Sequence, residues 1–257
     1  MTALVTGAAK RLGRAMALEL AAQGHDVAVH YNGSGDAAED TARDIRALGR
    51  RAVTLQADVL DEDAVAGLMG RAVAELGPVE VLVNNASIFD YDNMASATRK
   101  SWDRHMDSNL RAPFVLIQAL AAQMPDPDMD ARGEPVARGL VINMVDQRVR
   151  KLTPEFMTYT LAKMGLWALT RTAAQALAPN VRVNAIGPGP TMQGARQSAD
   201  HFARQRAATI LERGADPDAI CEALRYFLTA KSVTGQLICV DGGQHLGWET
   251  PDVLGVE

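Results

Sequence analysis

Tyr159 and Lys163 stand four residues apart in the run Tyr159-Thr160-Leu161-Ala162-Lys163. If that run is helical, the spacing puts both side chains on one face. A nearby ammonium favours the phenolate and lowers the phenol's pKa, which makes Tyr159 a usable proton donor. Thirteen residues before Tyr159 stands Asp146, after the apolar run Val141-Ile142-Asn143-Met144-Val145. A carboxylate is a poor partner for a carbonyl oxygen unless protonated. It is a good partner for the amino and ring nitrogens of a flat heterocycle. Taken singly, a Tyr-x-x-x-Lys pair is commonplace and an Asp after a strand often only caps the next turn.

A second group suits phosphate binding. Thr6-Gly7-Ala8-Ala9-Lys10-Arg11-Leu12-Gly13 joins a short apolar run to an amphipathic one. Glycines in such a turn let the backbone approach a pyrophosphate, and a helix N-terminus supplies free N–H donors. NAD-binding chains place a carboxylate at the end of the second strand for the ribose hydroxyls. Here that stretch reads Val29-His30-Tyr31-Asn32-Gly33-Ser34, with no acid before Asp36. The Arg11 guanidinium and the Ser34 hydroxyl are suited to a 2′-phosphate instead, so NADP(H) is the expected cofactor. Asp58-Val59 follows the third strand. Asn84-Asn85-Ala86-Ser87-Ile88-Phe89 follows the fourth, with amides to brace the sheet and an aromatic ring at its end.

These motifs, in this order over nearly the whole chain, resemble the short-chain dehydrogenase/reductase family. Arg11 replaces the middle glycine of its Thr-Gly-x-x-x-Gly-x-Gly turn, Ser87 replaces the glycine of Asn-Asn-Ala-Gly, and Asp146 replaces the usual Ser. Together with Phe89, these are similar to the pteridine reductase branch. Gly33 departs from it, since a basic residue is common there. The resemblance implies catalysis by Asp146, Tyr159 and Lys163, with Asn109 holding a water near the lysine. It implies a cofactor held by Gly7, Arg11, Leu12, Gly13, His30, Tyr31, Asn32, Ser34, Asp58, Val59, Asn85, Ala86, Ser87, Met144, Tyr159, Lys163, Pro188 and Gly189. Asp58 would meet the adenine amino group and Lys163 the nicotinamide ribose. The substrate would touch Arg11, Ser87, Phe89, Asp146 and Tyr159, with the Phe89 ring stacked on a pterin. Dihydromonapterin, dihydrobiopterin and dihydrofolate are the candidates the resemblance implies. The alternatives are a generic NADPH-dependent carbonyl reductase and, less favoured because Tyr159 and Lys163 are both kept, a non-catalytic NADP-binding regulator.

The elements that must position these residues follow from patterning. Apolar runs at 3–6, 27–29, 52–55, 79–83, 139–144, 181–186 and 237–240 lack polar alternation and read as seven buried strands. Helix-like runs at 12–22, 37–48, 61–76, 98–124, 156–177 and 198–229 separate them, the last interrupted near 214–217. Such alternation predicts an α/β fold: one Rossmann-like domain over 1–257, a doubly wound, parallel, seven-stranded sheet with helices on both faces. Residues 1–95 would form mainly the cofactor half and 96–257 the catalytic and substrate half. The polar run 125–138 reads as a surface loop, 191–213 as a possible lid and 244–257 as a tail reaching a neighbour.

Composition narrows the function classes. The 257 residues are 47% hydrophobic and 22% charged, with a net charge of −5. That mild acidic excess argues against nucleic acid or an anionic membrane as partner. No stretch is long and apolar enough to span a bilayer, and no signal peptide is visible. Cys221 and Cys239 cannot build a disulfide framework. They read as buried free thiols, in keeping with a cytoplasmic protein. No metal site is expected. The two long helices carry more apolar surface than one packed face needs, which predicts a homo-oligomer, a tetramer by the family resemblance.

Overall fold

The structure, a computed structural model, describes residues 1–194 and 197–249. In chain order it runs β1 (Thr2–Val5), α1 (Arg11–Ala22), β2 (Asp26–Tyr31), α2 (Gly35–Ala47), β3 (Ala52–Gln56), α3 (Glu62–Leu76) and β4 (Val79–Asn84). Next come α4 (Arg99–Met106), a π turn (Asp107–Arg111), α5 (Ala112–Gln123), β5 (Asp128–Met129), β6 (Pro135–Val136) and β7 (Gly139–Met144). A 3-10 turn (Gln147–Val149), α6 (Met157–Leu177), β8 (Val181–Pro188), α7 (Ala199–Ala207), α8 (Pro217–Thr229) and β9 (Leu237–Val240) complete it. Seven strands form one parallel sheet in the order β3-β2-β1-β4-β7-β8-β9.

Successive strand residues face opposite sides, and each side has its own helices. Ala3, Val5, Val27 and Val29 pack with Leu20 of α1, Ile45 of α2 and Phe227 of α8. Leu4, Ala28 and Leu82 pack with Leu68 of α3 and Leu116 and Leu120 of α5. Coverage on both faces explains why these strands read as continuous apolar runs. α3 starts where Asp61 accepts the Ala64 N–H at 3.1 Å and stops at Gly77, whose φ of 87° suits glycine. The chain order reverses between β1 and β4, which opens a crevice at the carboxyl ends of those strands.

Four details differ from the sequence reading. The long fourth helix contains a π turn, which hydrophobic spacing does not reveal. The run 125–138 holds a two-strand hairpin, β5 with β6. The helical stretch breaks over 208–216, more widely than expected. Cys221 is buried, but Cys239 is only half-buried because β9 lies at the sheet edge; burial still raises both thiols to about 11. No helix among the described residues is long and apolar enough to cross a membrane. Of the expected lid and tail, residues 195–196 and 250–257 lie outside the described residues.

Candidate active site

The crevice is a cavity of about 1040 Å³. Its walls bring together Gly7, Arg11, Leu12, Gly13, Asn85, Ala86, Ser87, Phe89, Met144, Asp146, Tyr159, Lys163, Pro188 and Gly189, residues spread over most of the chain.

One wall is the glycine turn. Gly7 has φ +63° and Gly13 has no room for a side chain, since a Cβ there would lie 2.1 Å from the Gly7 oxygen. Thr6 and Asn85 tie the turn to β4: the amides of Asn85 and Ala86 both donate to Thr6 Oγ1 at 2.9 Å, and Asn85 Nδ2 donates to Thr6 O at 2.9 Å and Gly7 O at 3.2 Å. His30 braces it from behind and is not part of the cavity wall. Its ring is buried, Nδ1 accepts the Gly7 N–H at 3.0 Å, and Nε2 faces Ala57 O at 3.1 Å. The Gly7 donor fixes the neutral tautomer with the proton on Nε2, and burial lowers the pKa to about 4. The expected direct contact of His30 with a cofactor is therefore corrected to support of the turn.

Arg11 lies in the cavity wall. It stands at φ +56°, the left-handed conformation that explains why a glycine is usual there. Its guanidinium donates to the carbonyls of Gln193 (2.9 Å) and Met192 (3.1 Å), in the segment expected to form a lid. Tyr31, Asn32, Ser34, Asp58 and Val59 fall outside the cavity wall. Asp58 accepts the Leu60 N–H at 3.0 Å, so its carboxylate serves the turn after β3. Val59 lines a separate hollow of about 130 Å³ with Glu62 and Arg111.

The cavity wall also carries a titratable group, Asp146, Tyr159 and Lys163. Tyr159 Oη donates to Asp146 Oδ2 at 3.0 Å, while Asp146 Oδ1 accepts the Arg148 N–H at 2.9 Å. Asp146 thus caps a turn and holds Tyr159 at once. Burial raises the Asp146 carboxyl pKa above the ordinary value, opposed by the Arg148 N–H and charge. Burial and the neighbouring carboxylate raise Tyr159 well above 10, opposed by Arg148 and Ser87. The expectation that Lys163 lowers the phenol's pKa is overturned. The phenol faces a carboxylate, and Lys163 Nζ, 5.6 Å from the ring centroid, donates to Met144 O at 2.7 Å.

Lys163 is 2% exposed, and burial lowers its pKa to about 8. In the unfolded chain it keeps an ordinary value near 10.5. Between pH 8 and 10.5 the unfolded state binds more protons, so stability from this group rises with pH across that window. Lys163→Met removes a buried charge at the expense of one hydrogen bond. The variant is expected to be about 1–2 kcal/mol more stable than wild type at pH 7, with the gap closing toward pH 10.5. Thermal unfolding at both pH values checks this; a variant less stable than wild type at pH 7 contradicts it.

Aromatic rings also line the cavity. Phe89, 42% exposed, stacks on Phe156 with centroids 4.3 Å apart and meets the Tyr159 ring edge-on at 4.6 Å. The Arg148 guanidinium lies 4.9 Å over Phe156. Ser87 Oγ donates to Asn109 Oδ1 at 2.6 Å, and Asn109 Nδ2 donates to Ile88 O at 2.9 Å. The π turn aims buried Asn109 at the loop after β4, so its observed partners are that loop. Sequence reasoning missed Phe156, Arg148, Tyr91 and Gln244, which also line the cavity. Position beside the recognised residues was the available signal: Arg148 is two residues past Asp146 and Phe156 three before Tyr159.

The site fits a phosphate-bearing dinucleotide: a turn whose Gly7 and Gly13 positions suit glycine, Lys10, Arg11 and Lys163 in the walls, and no carboxylate closing β2. The family profile for enoyl-(acyl carrier protein) reductase matches residues 7–245. The 3-oxoacyl-[acyl-carrier-protein] reductase FabG of Staphylococcus epidermidis is 34% identical over 250 residues, 95% of this chain and 99% of that protein. The short-chain dehydrogenase/reductase eriH of Hericium erinaceus is 33% identical over 253 residues, 94% of this chain and 96% of that protein. FolM alternative dihydrofolate reductase 1 from Brucella suis, solved in complex with NADP, superposes with a TM-score of 0.90 at 44% identity, covering 98% of each chain.

Proposed function

This chain belongs to the short-chain dehydrogenase/reductase family, and from that premise we propose that it reduces a C=N bond of a dihydropterin. It is an NADP(H)-dependent oxidoreductase with a Rossmann-like fold. The pterin reading is carried by one observation: Asp146, where carbonyl-reducing relatives of the resemblance have Ser, is hydrogen-bonded to Tyr159 in the cavity wall. The likeness to a dihydrofolate reductase supports it.

NADPH supplies the hydride when bound, held by the glycine turn around Gly7 and Gly13, by Lys163 and by Pro188 and Gly189. The protein's own work is position and protons. Phe89 offers a flat face on which a pterin stacks. Asp146 accepts N–H donors of the heterocycle. Burial makes Asp146 and Tyr159 hold their protons to higher pH than free side chains, so the pair hands a proton to the nitrogen of the reduced bond. Arg11 holds the carbonyls of Met192 and Gln193, and Met192, Gln197, His201 and Phe202 serve as lid residues at the cavity wall. Exposed Trp102, Phe114 and Leu161 on the long helices support assembly into a homotetramer. Two free thiols suit a reducing compartment such as the cytoplasm.

The test is NADPH oxidation, followed by absorbance, with dihydropterins, dihydrofolate and a panel of ketones. Turnover of a pterin is expected; turnover of ketones alone contradicts the pterin reading. The FabG relatives favour carbonyl reduction as a second reading. Asp146→Ser separates the two, harming a pterin reductase and sparing or improving a carbonyl reductase.

A further inference from the structure

Helix α6 delivers Tyr159 to the cavity, yet it begins without a cap of its own. Its N-cap residue is Phe156, apolar and held at φ +57°. The first amides of a helix need acceptors, and a carboxylate is the best of them because it also faces the positive end of the helix dipole. Asp92 supplies this from the loop after β4. Its Oδ1 accepts the Thr158 N–H at 3.1 Å and its backbone carbonyl accepts the Met157 N–H at 3.3 Å. Its Oδ2 accepts the Thr158 hydroxyl.

The Thr158 hydroxyl is in turn fixed by His105 of α4. Asp90 N–H donates to His105 Nε2 at 3.1 Å, so Nε2 is the acceptor and Nδ1 carries the proton. Nδ1 lies 2.6 Å from Thr158 Oγ1 and donates to it. The direction of every bond follows: Asp90 amide to His105, His105 to Thr158, Thr158 to Asp92. Asp92, His105 and Thr158 are each 2% exposed or less, so no solvent competes for these bonds. The same loop carries Phe89, three residues before Asp92, and Thr158 immediately precedes Tyr159.

We infer that Asp92, Thr158 and His105 are positioning residues: they cap the Tyr159 helix from the Phe89 loop, so the aromatic platform and the proton donor are set by one shared network. The inference rests on the reading of Phe89 and Tyr159 given above. Neither end of the network can shift without breaking a buried charged hydrogen bond at the other.

Thr158→Val removes the hydroxyl at the centre and keeps the backbone amide; Thr158→Ser restores the hydroxyl. The acceptor is whichever compound wild type reduces, dihydropterin or ketone, so failure of the pterin assignment leaves the comparison intact. Thr158→Val is expected to lower kcat about tenfold to a hundredfold, the cost of a small misplacement, with NADPH binding by fluorescence near wild type and kcat recovered in Thr158→Ser. Wild-type kcat in Thr158→Val, or loss of NADPH binding in step with kcat, overturns the proposal. A crystal structure of Thr158→Val reads the same point without substrate: a displaced Phe89–Tyr159 contact supports it, and an unmoved ring pair overturns it.

Discussion

Asp146→Asn loses dihydropterin turnover by about 10²- to 10⁴-fold, the usual scale for removing a general acid–base group, while NADPH affinity stays near the wild-type value. Asparagine keeps an oxygen for the Arg148 N–H, the cap that Asp146 now supplies at 2.9 Å, so the turn after β7 survives. What is lost is the carboxyl that accepts from Tyr159 at 3.0 Å. The pH profile carries a second signature. A group that must be protonated to act loses activity as pH rises through its pKa, and burial puts that of Asp146 above the ordinary 3.8. Wild-type kcat is therefore expected to decline with rising pH through that raised value, and Asp146→Asn to lack this limb. An unchanged profile in the variant, with turnover retained, removes Asp146 from the proton path.

Tyr159→Phe is expected to cost a similar factor, about 10²- to 10⁴-fold in kcat, with the fold intact. The ring is 5% exposed and packs edge-on against Phe89, and phenylalanine preserves that contact. The hydroxyl leaves behind an Asp146 oxygen without its donor. A hydrogen bond to the charged carboxylate favours the charged form, so the Asp146 pKa is expected to rise further in this variant. Burial and Asp146 hold the wild-type phenol well above 10, so no phenol ionisation is expected to shape the activity profile below pH 10. Steady-state kinetics and carbon NMR of labelled aspartate check these points. Turnover undiminished in Tyr159→Phe places the NADPH oxidation outside this site.

Thirteen residues of sequence separate Asp146 from Tyr159, and their shared catalytic role was readable from the family resemblance; the fold brings them to 3.0 Å because Asp146 follows β7 and Tyr159 stands in the first turn of α6. The parallel order was likewise readable from apolar runs covered on both faces. The charge state was not. Four-residue spacing puts Tyr159 and Lys163 on one face, but only the fold shows that the phenol meets Asp146 while the ammonium meets Met144 O. The partners of Arg11, Met192 and Gln193, were not legible because they lie 181 and 182 residues away. His30 sits in a strand with the cofactor motif, and nothing in its neighbours signals that its ring turns inward to Gly7. Asn109 depends on a π turn inside a helix whose apolar spacing looks regular. The network of Asp92, His105 and Thr158 joins three separate elements, and each residue alone is an ordinary polar position.

The central claim is that a carbon of a pterin C=N bond receives hydride in this cavity. Mass spectrometry of the product formed from a dihydropterin with NADPH deuterated at the transferred position tests it directly. The expected result is a tetrahydropterin carrying one deuterium on a ring carbon, with none incorporated there when unlabelled NADPH is used in heavy water. Unlabelled or absent tetrahydropterin, alongside deuterated alcohol from a ketone, contradicts the claim and leaves a carbonyl reductase built on the same fold.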